Sequence, residues 1–430
     1  MANVPAAPKK MDAISTFFYR YRRVIKFLKL FFLIAGPGII VMVADNDAGG
    51  ITTYAATGAK FGYGFIGFLI ILGPIAYVVQ EMTVRLGAIT KRGHAEAIFD
   101  AFGSFWGWFS LGDLLLTDLL TTVTEFIGMT AAASIFGVPP LITVPVVIVF
   151  IMALNLSGRY WTWEKIVLFL CIFNLVCVPA AFLVHPDVAQ IFKTGLIPQG
   201  GFNGTIFFFI MANIGTTIAP WMLFFQQSSV VDKNLGEKDI KMERLDTAVG
   251  AFFTIIVAVF CVIVTGTLLK GVNIQDAAQA SRLLIPINKW VGYLMAISLF
   301  DAGLLGAIAI SLASSWAWGE VFGWPHSLNN KVKQAPWFYL VRLLILLVAG
   351  TIVLLPGAPL VLITLFVQVI AVTLLPAALV FLVLLLNSDE VSGKYKNTVS
   401  QNIILILIVG GIIVMSSLYG ISTVFPHLFK

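Results

Sequence analysis

The sequence predicts an all-α polytopic membrane protein with about eleven transmembrane helices. Composition is the first observation behind this. Of 430 residues, 59% are hydrophobic and only 11% charged, with a mean hydropathy of +0.96; soluble domains carry about 25% charged residues. The second is the distribution of the apolar residues. They gather into runs near 29–59, 62–88, 102–135, 139–157, 163–184, 203–231, 245–270, 290–319, 337–356, 358–386 and 401–425. Crossing a hydrocarbon core as a helix takes about 20 residues, and most of these runs reach that length.

Orientation follows from Lys and Arg. With a cytoplasmic N-terminus, the outside keeps Lys60, Lys193, Lys270, Arg282, Lys289 and Lys430, and the other 21 of the 27 basic residues fall inside. Cytoplasmic loops carry the excess of positive charge. The expectation is therefore a multi-pass protein of the plasma membrane with its N-terminus inside and its C-terminus outside. The net charge of +6 is assigned to inner-leaflet anchoring, so no nucleic-acid partner is inferred. Residues 1–14 are polar and unpatterned, and no cleaved signal is read there. Cys171, Cys177 and Cys261 all lie within runs, which leaves neither a disulfide framework nor a zinc spacing. His94, His185, His326 and His427 are expected in loops or at the C-terminal end. Neither a cofactor nor an obligatory protein partner is implied; the partners expected are the bilayer and a substrate.

Within the first run, "ADNDAGG" (Ala44 to Gly50) puts two carboxylates, a carboxamide and two glycines at bilayer depth. Each glycine weakens a helix by roughly 1 kcal/mol relative to alanine, and Asp and Asn compete for the backbone through their side chains. A packed Gly-rich kink would account for the glycines. It does not account for Asp45 and Asp47, because charged groups in mid-span are costly and usually mark a pathway. A second interruption falls in the sixth run, where "NIGTTIAPW" carries Gly215, Thr216, Thr217 and Pro220. Taken alone, that is an ordinary proline kink. Broken helices at matching places in two halves are the sequence pointer to a transporter built from inverted repeats. Five spans is an odd number, so the halves must insert with opposite topology. The division expected is a cytoplasmic segment 1–28, a first repeat over 29–184, an inverted second repeat over 203–386, and an extra helix over 401–425. The overall plan is LeuT-like, with the first and sixth helices broken near the midplane.

Other polar groups fall within apolar runs. Asp118 and Glu125 are seven residues apart and share a face of the third span, with Thr121, Thr122 and Thr124 between them. Gln80 and Glu81, Asp301 and Gln368 sit in the second, eighth and tenth spans. Each is either a pathway residue or a satisfied buried partner.

The stretches "GPGIIVMVADNDAGGITTYAATGAKFGYGF" and "GTTIAPWMLFFQQSS" resemble helices 1 and 6 of the NRAMP divalent-metal transporters. Further likeness lies in "RLGAITKRG", "TEFIG" (Thr124 to Gly128) and "QVIAVTLLP" (Gln368 to Pro376), and it extends from about residue 30 to 385. The family reads Asp-Pro-Gly-Asn in helix 1 and Met-Pro-His in helix 6. Here the aspartate is kept as Asp47, while the proline becomes Ala48 and the asparagine ligand Gly50. The methionine ligand becomes Ala219 and the adjacent histidine Trp221, with Pro220 retained. A second helix 6 histidine becomes Gln226, and an aspartate before the retained Glu125 becomes Thr122. Asp45 and Asn46 are additional polar groups.

A thioether ligand favours late transition metals over hard ions. Its loss, together with the volume emptied at Gly50 and Ala219, suits a partly hydrated Mg²⁺, which keeps waters and takes oxygen ligands. The pattern resembles the NRAMP-related magnesium transporters, the branch without the methionine. The resemblance implies a divalent cation, Mg²⁺ with Mn²⁺ also accepted, held near Asp47. Asp45 and Asn46 would serve as outer contacts, and Ala44, Thr216 and Gln368 as neutral oxygen donors. With both helix 6 histidines absent, uncoupled transport is the expectation. Glu125, Thr122, Trp221 and Gln226 are expected just outside the ion's direct contacts or along its pathway. The alternative is a proton-coupled Mn²⁺ or Fe²⁺ transporter of the NRAMP type. An amino-acid symporter of the same plan is disfavoured, because two aspartates in the break would repel a substrate carboxylate. An intramembrane hydrolase is disfavoured too, since Asp118 and Glu125 are about 10 Å apart along their helix and no histidine is expected in the membrane.

Overall fold

A computed structural model describes residues 35–424 apart from 155–157, 196–203, 275, 277 and 356–359. The segment 1–28 with its basic residues lies outside the described residues, as do His427 and Lys430. Among the described residues all regular structure is helical. The first apolar run forms α1 (Pro37–Ala44) and α2 (Ala48–Phe61), and the second forms α3 (Ile66–Thr90). A short α4 (His94–Phe102) leads into α5 (Ser104–Ile135) and α6 (Pro140–Leu154). The fifth run divides into α7 (Tyr160–Asn174) and α8 (Cys177–Leu183), followed by α9 (Val188–Thr194). The sixth run divides into α10 (Gly204–Gly215) and α11 (Pro220–Asp232). Then come α12 (Ile240–Leu268), α13 (Gln279–Leu284), α14 (Lys289–Phe322), α15 (Pro336–Leu354), α16 (Leu360–Asn387), the one-turn α17 (Asp389–Ser392) and α18 (Val399–Val424). Every predicted span has its helix or pair of half-helices.

Burial sorts these helices. The middle of α14, from Ala302 to Ala313, is wholly buried and packs along α5, while α12 packs against α1, α2 and α3. Small residues make the closest approaches possible, as is usual where lipid supplies no hydrophobic drive between helices. A Cβ at Gly303 would lie 2.8 Å from the Glu125 carbonyl oxygen. By contrast α18 leaves Ile403, Ile406, Leu407, Ile413 and Val414 exposed, a surface suited to lipid.

Two sequence expectations need correction. The fifth span is not continuous: Pro179 has no amide for the carbonyl of Leu175, and its ring crowds that carbonyl, so the helix breaks at 175–176. His94 is not a loop residue. It opens α4, is fully buried, lies edge-on to Phe224, and places Nδ1 2.8 Å from Gln227 Oε1. Burial pushes its pKa down to about 4, so it is a neutral packing group.

Candidate metal-ion site at two helix breaks

The first break spans Asp45 to Asp47. After α1, the amides of Asp45 and Asn46 bond back to Val41 (3.2 Å) and Val43 (3.1 Å), which tightens the last turn. Asp47 is extended and caps α2, its Oδ1 accepting the Gly50 amide at 2.5 Å. The cap satisfies one of the unpaired amides that begin α2, and the positive end of that helix favours the carboxylate. Glu125 reaches in from α5, and its Oε2 accepts the Ala48 amide at 2.9 Å. The Asp47 and Glu125 side chains meet at Gly306 of the eighth span. Two carboxylates from separate spans thus hold the first turn of α2.

Asp45 and Asn46 are buried as deeply as Asp47. Asp45 Oδ2 has no hydrogen-bond partner. Asn46 donates its amide to the Thr254 carbonyl of α12 at 3.3 Å, while its Oδ1 is unmatched. Its amide therefore ties the break to α12. Ala44 is the last residue of α1, whose carbonyl end is the negative pole of that half-helix.

The second break is neutral. Thr216 and Thr217 turn their hydroxyls onto the Asn213 carbonyl at 3.0 and 2.9 Å. The Thr216 carbonyl accepts the Tyr54 hydroxyl at 3.0 Å, so the predicted neutral donor already has one partner. Ala219 is extended, as a residue before proline must be, and Pro220 begins α11 with its ready-set φ. The Ala219 side chain cannot cap, and its amide lies 3.3 Å from the sulfur of Met222, one turn on. Trp221 is buried with its indole nitrogen unmatched. Gln226 donates to Thr247 Oγ1 at 2.8 Å, which joins α11 to α12.

Gln368 links the breaks. Its Nε2 occupies the space a Cβ would need at Gly49, and its backbone carbonyl oxygen lies against Gly215. Glycines are required at both points by close approach rather than by turn geometry. Thr122 donates its hydroxyl to the Asp118 carbonyl at 2.6 Å. Asp118 in turn accepts from Ser314 at 2.5 Å and has no place at the breaks.

Sequence reasoning missed Gly306 and Tyr54. A Cβ at Gly306 would stand 2.7 Å from the Glu125 carboxyl carbon and 3.1 Å from Asp47 Cβ. The signal was present as Gly303 and Gly306, one helical turn apart on α14. Among the described residues, no three His, Cys, Asp or Glu side chains converge as a metal cage. The acids present are spread across two spans, with carbonyls and a carboxamide beside them. Oxygen donors of this kind suit hard divalent ions.

The family model for natural resistance-associated macrophage protein-like sequences matches residues 38–422. The chain belongs to the Nramp family. This Nramp protein is 25% identical over 385 residues to the divalent metal cation transporter MntH of Listeria welshimeri, covering 86% of each chain. It is 24% identical over 409 residues to the natural resistance-associated macrophage protein 2 homolog of Dictyostelium discoideum, covering 90% of this chain and 63% of that one. Its fold matches a manganese transporter of Eremococcus coleocola with a TM-score of 0.77 at 20% identity, over 92% and 87% of the two chains. It also matches MhsT, solved with L-phenylalanine, with a TM-score of 0.53 at 13% identity, over 90% and 97%. The inverted-repeat, LeuT-like plan with helices 1 and 6 broken is the fold of this Nramp chain.

Proposed function

We propose that this Nramp protein is a secondary transporter of divalent metal cations, with the ion held between residues 44–50 and 215–220. The observation that carries this is the uncompensated charge of the first break. Asp45 and Asp47 are buried together, Asp45 Oδ2 has no partner, and both half-helix carbonyl ends bring negative potential to the breaks. Asp47 is the principal ligand in this reading, with Gln368 and the carbonyls of Ala44 and Thr216 as neutral donors. Gly50 and Ala219 leave room for the ion's waters. Asn46 acts from outside the first coordination sphere. The names of the relatives support the same substrate class. Access would alternate by rocking of α1, α2, α10 and α11 against the rest, with repeats 29–184 and 203–386 of opposite topology in the plasma membrane.

Two readings of the ion divide. The losses at Gly50 and Ala219 favour Mg²⁺, with Mn²⁺ accepted and no proton coupling. The name of the Eremococcus coleocola manganese transporter favours Mn²⁺, and proton coupling is favoured by the Asp47 and Glu125 carboxyls, which both hold the first turn of α2 and can share a proton. The manganese reading has the wider support. Proteoliposomes loaded with metal- and pH-sensitive dyes test both. Uptake of Mn²⁺ with matched acidification, and with Mg²⁺ neither entering nor competing, is the manganese outcome. Mg²⁺ entry without acidification is the magnesium outcome, and no flux of either ion overturns divalent-cation transport.

A further inference from the structure

The break in the fifth span lies outside the proposed ion path. α7 stops at Asn174, and the amides of Leu175 and Val176 turn back three residues to Ile172 (3.2 Å) and Phe173 (3.1 Å). In a continuous helix the Leu175 amide would take the Cys171 carbonyl, so the step releases that oxygen from its helical partner. Pro179 explains the kink but not its surroundings. Asn174 is fully buried, and neither its Oδ1 nor its Nδ2 has a hydrogen-bond partner. Against it α14 places Asp301, whose carboxyl lies beside the Asn174 carboxamide without closing a hydrogen bond. Asp301 is 5% exposed with Oδ2 unmatched, and Ser298, one turn earlier on α14, is fully buried with Oγ unmatched. A cavity of about 380 Å³ walled by Phe136, Phe173 and Phe300 reaches Asp301. Oδ2 itself is buried, although Asp301 also borders that cavity.

Four unmatched polar atoms in a bilayer interior cost several kcal/mol. We propose that Asp301, Asn174 and Ser298, with the carbonyl oxygen released at the α7–α8 step, bind one Na⁺ at a site separate from Asp47. One carboxylate matches one positive charge, whereas a divalent ion would leave a net charge buried. The donors are hard oxygens, and the carbonyl end of α7 presents its negative pole to the same place. Interrupted backbone and half-helix C-termini are where transporters bind coupling ions. A proton shared between Asp301 and the Asn174 carbonyl oxygen would still leave the Ser298 hydroxyl unmatched. An ion here ties α7 and α8 to α14 and so stiffens the fifth span at its break.

The test uses the purified full chain, followed by thermal unfolding while Na⁺ replaces choline at constant ionic strength. The expected result is a saturable rise in Tm with Na⁺ and none with choline. Ser298→Ala should weaken the apparent Na⁺ affinity roughly tenfold, and Asp301→Asn should abolish the response. Both variants should keep the wild-type Tm response to Mn²⁺, because neither touches the Asp47 site. That separates this proposal from the transport reading. Equal Tm in Na⁺ and choline overturns it, as does a Na⁺ response unchanged in both variants. A wild-type Tm that follows pH but ignores Na⁺, and loses that dependence in Asp301→Asn, makes the occupant a proton and also overturns it.

Discussion

The breaks in the first and sixth spans differ in what holds them open. At the first, carboxylates replace the missing helix bonds: Asp47 caps the Gly50 amide and Glu125 takes the Ala48 amide. At the sixth, hydroxyls and a proline do so, through Thr216, Thr217, Tyr54 and Pro220. One break therefore carries the charge and the other the neutral oxygens. Binding strength should reside in the first break, and discrimination between ions in the second.

The largest expected effect separates the breaks directly. Asp47→Ala removes both the central charge and the cap of α2, and metal uptake into proteoliposomes should fall on the order of 100-fold. Thr217→Ala, in the other break, removes one neutral hydroxyl and should cost only a few-fold, as one net hydrogen bond of about 1 kcal/mol implies. Equal losses from the two variants would erase the division of labour.

Gly306→Val comes next. It forces a branched side chain against the Glu125 carboxyl and Asp47 Cβ, and overpacking costs about 1–3 kcal/mol. Uptake should drop roughly tenfold, with a lower Tm in the same preparation. A variant with wild-type flux would mean that Asp47 and Glu125 need no support from α14.

The breaks were legible in the sequence for different reasons. Acids in an apolar run have no bland explanation, so "ADNDAGG" announced itself, and the structure makes it the junction of α1 and α2. Pro220 became informative only when paired with the first break. What stayed hidden depends on contacts between residues far apart in the chain. The Ala48 amide meets Glu125 across 77 positions, and Tyr54 meets Thr216 across 162. Neither contact has a local signature. The break after Asn174 has little local signal, because Pro179 lies three or four residues beyond residues 175–176 and the stretch around it is apolar. Asp118 and Thr122 share a helix face with Glu125, yet Asp118 accepts from Ser314 and the Thr122 hydroxyl bonds back to its own helix, partners that the sequence does not signal.

Ala219→Met bears on discrimination. A thioether restored to the neutral break should raise the ratio of Mn²⁺ to Mg²⁺ uptake several-fold, because sulfur favours the later ion and intrudes on the waters of the harder one. Met222 already turns its sulfur toward the Ala219 amide, so the new side chain competes for occupied space. Faster Mg²⁺ uptake in this variant would contradict the volume argument for the second break.

Tyr54→Phe should have the smallest effect. Its hydroxyl reaches from α2 to the second break, donating to the Thr216 carbonyl at 3.0 Å with Thr217 Oγ1 at 3.5 Å. Deleting it frees one lone pair of a carbonyl that the proposed site also uses. The cost to packing is slight, since the ring stays, and the lost bond is worth about 1 kcal/mol. The direction for ion binding is the informative part. If the Thr216 carbonyl is a ligand, release from the tyrosine leaves it freer to face the ion, and apparent Mn²⁺ affinity should hold or improve while Tm falls slightly. If the tyrosine instead aims that carbonyl at the ion, affinity should fall about five-fold, the equivalent of that one bond. We expect the second, because a donor on one lone pair fixes the direction of the other, and preorganised ligands bind more tightly than free ones. Mn²⁺ titration of uptake in Tyr54→Phe and wild type decides it. Unchanged affinity together with unchanged Tm would show that the breaks move independently.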